Sequence, residues 1–159
     1  MSIEKGREFF RAQGIEDRVQ EFTVSSATVE LAAEALGVEP ARIAKTLSFK
    51  STYGCILVVA SGDARIDNQK YKSKFGIKAK MLTAEEVLEL VGHAVGGVCP
   101  FGINQGVSVY IDKSVLRFKT VFPAVGSSNS AIELTPDELY KFASALEWVE
   151  VCKLPEDAE

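Results

Sequence analysis

The segment from Lys45 to Ala60 restricts the possible folds more than any other part of this chain. Thr46-Leu47-Ser48-Phe49 alternates in polarity, Ile56-Leu57-Val58-Val59 is β-branched in character, and Ser51-Thr52-Tyr53-Gly54 between them has the composition of a turn. A β-hairpin is therefore expected at the centre of the sequence. Its apolar run, Cys55 to Ala60, falls far short of the ~20 residues that cross a bilayer, so no transmembrane helix is expected.

Helical signals surround this hairpin. Ile3, Phe9, Phe10, Ala12 and Ile15 form an apolar stripe that stops at Gly14, followed by a short strand at Val19 to Phe22. Thr28 to Leu36 reads as a second helix with Gly37 at its C′ position, and Pro40 opens a short helix through Ile43. Asp67 to Phe75 reads as helix, Ala79 to Leu82 as strand, and Thr83-Ala84-Glu85-Glu86 as a capping box opening a helix to Val91. Val107–Ile111, Thr120–Phe122 and Ala131–Leu134 read as strands. Thr135-Pro136-Asp137-Glu138 opens a last helix to about Leu146, with an edge strand at Trp148 to Val151. Hairpins and helices intersperse without a regular βαβ repeat, so the fold class is α+β with a mixed sheet. The 159 residues, 47% hydrophobic, suit one domain over 1–153, with 154–159 as an acidic tail.

Composition excludes several chemistries. Cys55, Cys99 and Cys152 have no C-x-x-C spacing and read as reduced thiols, and His93 is the lone histidine, so no metal and no cofactor is expected. Met1 to Lys5 lacks the basic and apolar regions of a secretory signal, which implies a cytoplasmic protein. The net charge of −4 argues against strong nonspecific affinity for nucleic acid, and no DNA partner is expected. Arg65, Lys70, Lys72, Lys74, Lys78 and Lys80 nevertheless lie close together against Asp67 alone, a basic segment on an acidic body.

Two glycine-rich loops are candidate sites. Gly92 to Gly102 contains Gly96, Gly97 and Gly102 together with Val98, Cys99, Pro100 and Phe101; a plain turn and a ligand-binding loop are equally compatible with that composition. Val125 to Ser130 contains Gly126 and Ser127, and its residues alone read first as an ordinary polar hairpin loop and second as a binding loop. Lys45 places an ammonium at the start of an otherwise apolar strand, either snorkelling at a sheet edge or binding a phosphate or carboxylate.

Ala44-Lys45-Thr46-Leu47, Gly96-Gly97-Val98-Cys99-Pro100-Phe101-Gly102, and Gly126-Ser127 followed by Ala131-Ile132-Glu133-Leu134-Thr135-Pro136 match in order and spacing the YbaK/EbsC family, the prolyl-tRNA synthetase-associated editing domain, which the chain resembles over nearly its whole length. The resemblance implies a mixed-sheet pseudo-barrel flanked by helices, and an aminoacyl-tRNA deacylase acting in trans on the acceptor end of a mischarged tRNA, with prolyl-tRNA synthetase as a candidate partner. It implies that Lys45 holds the terminal phosphate or ribose region and that Thr46 lies beside the substrate. The loop Gly96 to Pro100 would position the ester and the attacking water, with Phe101 and Gly102 continuing it and Gly126 and Ser127 supplying the second loop. Lys70, Lys74 and Lys78 would follow the acceptor stem. The branch that removes cysteine from proline tRNA carries a serine and an aspartate where this chain has Ala124 and Ala131; Val98, Cys99 and Phe101 suit a small residue such as alanine. The competing expectation is a non-catalytic sensor that binds an amino acid, a charged tRNA end or a protein in the same pocket. A cysteine hydrolase using Cys99 is a third.

Overall fold

The computed structural model describes residues 2–52 and 54–155. The hairpin forms as the sequence predicts: β2 (Ile43–Ser51) pairs antiparallel with β3 (Gly54–Ser61), although Tyr53 of the expected turn lies outside the described residues. With β5 (Val107–Asp112), β6 (Phe122–Pro123) and β8 (Glu147–Val149) they build a mixed five-stranded sheet of order β6-β2-β3-β5-β8, whose other three pairings are parallel. Strand β3 is the axis of the core, with Leu57, Val58 and Val59 each 0% exposed. Its alternation divides the apolar residues: Cys55, Leu57 and Val59 face one cluster, and Ile56, Val58 and Ala60 the other.

Five α-helices cover this sheet among the described residues. The first cluster is closed by α1 (Ser2–Ala12), α4 (Ala84–Leu90) and α5 (Pro136–Phe142), through Phe10, Val87 and Leu139. The second is closed by Tyr71 of α3 (Asn68–Phe75). Helix α2 (Val29–Leu36) packs Ala32 and Ala33 against Ile43 and Phe122 at the β2–β6 edge. Both capping boxes form, Thr83 with Glu86 and Thr135 with Glu138, and each fixes a helix start locally.

Several element ends differ from the sequence reading, each because a tertiary contact wins. Helix α5 stops at Phe142 rather than near Leu146, since Ser144 turns into the left-handed region at φ 51° and the Leu146 N–H donates to Val109 O of β5. The expected strand at Ala79 to Leu82 reduces to one bridge, Met81 to Phe49. The strand expected at Thr120 to Phe122 shifts to β6 (Phe122–Pro123), because Val121 exchanges two main-chain hydrogen bonds with Leu134, at 2.8 and 3.0 Å, instead of pairing with β2. The strand expected from Ala131 becomes β7 (Ser130–Ala131), paired with β1 (Gln20–Glu21). The C-terminal strand divides into β8 and β9 (Cys152–Lys153), and β9 pairs with β4 (Arg65–Ile66), a two-residue strand that the sequence did not announce. Of the expected tail, 156–159 lie outside the described residues.

Candidate active site at the open edge of β2

A cavity of about 420 Å³ opens where β2 has no neighbour. β6 covers β2 at Ile43 and Ala44, and the segment around Met81 takes up its main chain from Ser48 onward, which leaves Lys45 to Leu47 uncovered between them. Leu82 N–H donates to Ser48 O at 3.1 Å and Lys50 N–H to Lys80 O at 2.8 Å, so the even-numbered residues of β2 turn their main-chain groups to this edge. By the same alternation the N–H and C=O of Thr46 face the gap. The side chains of Thr46 and Ser48, opposite Val59 and Leu57, share the face of the first cluster. Lys45, opposite Ala60, projects to the other face.

The walls are mainly apolar: Val29 and Ala32 of α2, Val87 of α4, Phe122, Ala124 and Ala131. Gly96 and Val98 bring the first glycine loop to the cavity, and hydroxyls of Ser26, Thr28, Thr46, Ser48 and Ser130 stud it. Ser26 Oγ and Thr46 Oγ1 are buried with no hydrogen-bond partner among the described residues. Orphan buried donors and acceptors are costly, and at the wall of a cavity they are the groups a ligand would satisfy.

The two glycine loops, distant in sequence, meet here. A Cβ on Gly97 would lie 2.6 Å from Ser127 N and 2.8 Å from Gly126 C, so their backbones touch where no side chain fits. Gly96 takes φ 95°, a glycine conformation. The second loop is braced in turn: Ser127 Oγ donates to Ser130 Oγ at 2.8 Å, Ser26 N–H donates to Ser128 O at 2.6 Å, and Asn129 Nδ2 donates to Phe22 O at 2.9 Å. Gly126 and Ser127 thus back the first loop, and they line a separate cleft with Ile3 and Lys5 rather than this cavity.

Four residues expected at the site lie behind it. Phe101 is 0% exposed and packs with Phe10 and Phe9 at centroid distances of 4.8 and 5.8 Å; its ring belongs to the core. Gly102 lies against the backbone of Lys5. Pro100 is buried, as is Cys99, whose thiol burial pushes up to about 12. His93 Nε2–H donates to Phe101 O at 2.7 Å, and burial holds its pKa below the ordinary imidazole value. A neutral, enclosed imidazole and an un-ionised thiol supply neither base nor nucleophile. Cys99→Ser is therefore expected to retain most activity. A trapped acyl-thioester, or a loss of ~10³-fold, would contradict this.

Lys45 lies between this cavity and a neighbouring one. Its ammonium donates to Ala64 O and, at 3.3 Å, to Gly62 O, and burial lowers its pKa from the ordinary lysine value. Two of its three protons are thus held by the chain. The basic segment is placed elsewhere: Lys70 of α3 donates to Cys152 O at 3.2 Å, Lys74 pairs with Glu147, and Lys78 is exposed beyond the helix. A phosphate at Lys70 or Lys74 would compete with those internal partners.

Ser26, Thr28, Ser48, Met81 and Val87 were not singled out as site residues from the sequence. The run Ser25-Ser26-Ala27-Thr28 signals a helix cap, which Thr28 is, its side chain accepting from Leu31 N–H at 3.1 Å. The period-two placement of Thr46 and Ser48 on one face was the available clue. No group of three or more His, Cys, Asp or Glu side chains able to hold a metal occurs among the described residues.

Residues 23–142 match the family described as the aminoacyl-tRNA editing domain. The uncharacterized protein YwhH of Bacillus subtilis is 54% identical over 154 residues, covering 96% of this chain and 98% of that protein. EbsC of Enterococcus faecalis, a candidate Cys-tRNA(Pro)/Cys-tRNA(Cys) deacylase, is 27% identical over 114 residues, 70% of each chain. A crystal structure of a candidate trans-editing enzyme for prolyl-tRNA synthetase superposes with a TM-score of 0.86 at 31% identity, over 96% of this chain and 97% of the other.

Proposed function

The chain belongs to the aminoacyl-tRNA editing domain family, and on that premise we propose that it is a deacylase that acts in trans, hydrolysing the ester between a small amino acid and the 3′ adenosine of a proline-type tRNA. The observation that carries this reading is the meeting of the Gly96–Val98 loop and the uncovered Thr46 main chain at one cavity. An aminoacyl ester is already activated. Water adds to its carbonyl, the ester C–O bond breaks, and the ribose oxygen takes up a proton, leaving free amino acid and a tRNA with an intact terminal hydroxyl. Main-chain N–H groups at Thr46 and the glycine loop would hold the developing oxyanion, which needs no ionised nucleophile on the enzyme.

The walls support a small substrate. Ala124 and Ala131 both line the cavity with Val29, Val87 and Val98, and none of the described lining residues is a carboxylate that would select a polar side chain. A single methylene distinguishes substrates by only ~1–3 kcal/mol in a synthetase pocket, which is the need that such a sieve answers.

The test is amino-acid release from proline tRNA charged with alanine, serine, cysteine or proline. Alanine is expected to leave fastest. Release at the uncatalysed rate from every charged tRNA would refute hydrolysis and favour a sensor that holds the charged end in the same cavity.

A further inference from the structure

Beside the cleavage cavity lies a second one, of about 760 Å³, and Lys45 lines both. Its far wall is the β4–β9 ribbon. There Arg65 stands directly opposite Lys153, while Ile66 and Cys152 turn into the second apolar cluster. Directly opposed residues of an antiparallel pair project to the same face, so two cations share one face of a ribbon only two residues long. Like charges in that position repel. Neither is in an ion pair among the described residues. Asp63 in the lining is neutralised by Arg117 through bonds of 2.6 and 3.1 Å, and Glu30 is the other acid among the described lining residues. Among the described residues that line this solvent-open cavity, Lys45, Arg65 and Lys153 thus outnumber the free carboxylates.

The ribbon is not loose. Asp67 N–H donates to Val151 O at 2.8 Å, and Val151 N–H donates to Asp112 Oδ1 at 2.9 Å. The chain therefore holds two cations together on a fixed frame at a cost to its own stability, and an anion placed between them would repay that cost. Lys45 joins the two cavities and has a proton to spare, so an anion in the second cavity is continuous with a ligand in the first.

We infer that Arg65 and Lys153 bind successive phosphodiesters of the single-stranded 3′ end of the tRNA, with Lys45 at the junction between that strand and the ester. This rests on the deacylase reading for the identity of the ligand, and it places the strand along the β4–β9 ribbon rather than along α3.

The experiment is a salt titration of binding with two probes: uncharged proline tRNA, and the same tRNA with its single-stranded 3′ nucleotides removed. Arg65→Ala/Lys153→Ala should weaken binding of the complete tRNA about tenfold or more and reduce its salt slope by ~1.4, from ~0.7 per single-strand contact. The truncated tRNA should show no such change. Arg65→Gln and Lys153→Gln alone should each take about half the slope. The thermal midpoint of the double variant should hold or rise, because repulsion is removed. An unchanged slope with the complete tRNA overturns the inference, as does an equal change with both probes. Competition by inorganic phosphate as strong as by the complete tRNA would overturn it too, in favour of a free-anion site. Because binding of uncharged tRNA is read without hydrolysis, a failure of deacylation is recorded separately from a failure here.

Discussion

Gly97→Ala is expected to lower deacylation about 100-fold and to destabilise the protein by ~1–3 kcal/mol. The added methyl would meet Ser127 N at 2.6 Å, Ser127 Cα at 2.7 Å and Gly126 C at 2.8 Å, all main-chain atoms that cannot rotate away. Gly97 does not occupy the left-handed region, so alanine is tolerated conformationally and the whole effect comes from separating the two loops. Their separation displaces Gly96 and Val98 at the cavity wall, and misplacing positioning groups by about 1 Å costs rate out of proportion to stability. Thermal unfolding and single-turnover deacylation on one preparation check both parts. An alanine variant with unchanged rate would remove the glycine loop from the reaction.

Lys45→Ala is expected to reduce kcat/KM roughly 10- to 100-fold, the scale of one charge-assisted hydrogen bond worth ~1.5–3 kcal/mol. Stability should fall as well, by ~1–2 kcal/mol, because Gly62 O and Ala64 O lose their donor. That fall separates Lys45 from a cation merely snorkelling at a sheet edge. Lys45→Met keeps the stem and removes the charge, and it should show the same loss of rate. Full activity in either variant would take Lys45 out of the site.

What the sequence made legible is what short segments decide for themselves. Thr135-Pro136-Asp137-Glu138 specifies a helix start from four residues, and the alternation at Thr46 to Phe49 with the run at Ile56 to Val59 specifies a hairpin; both form. The pairing of Arg65 with Lys153 joins segments far apart in the chain, each too short to carry a periodicity, so no local pattern announced it. The end of α5 is likewise set by a bond from Leu146 to Val109, not by its own sequence.

The site was legible in a similar measure. Of the residues the motifs point to, Lys45, Thr46, Gly96 and Val98 line the one cavity proposed as the site. Cys99, Pro100 and Phe101 follow Val98 directly in sequence, yet they turn inward because the aromatic cluster around Phe9 and Phe10 takes the Phe101 ring. Adjacency along the chain could not reveal which side of the loop faces the ligand. Ser26 was hidden for the opposite reason: its residue type fits a helix cap, and only the folded chain shows its hydroxyl buried at the cavity wall without a partner among the described residues.

The most direct measurement is the time course of alanine release from alanyl-tRNA(Pro) with the wild-type protein and Lys45→Ala side by side. The account predicts release well above spontaneous hydrolysis by the wild type and release 10- to 100-fold slower by the variant. Release at the spontaneous rate by the wild type, or equal rates from the two proteins, would contradict it.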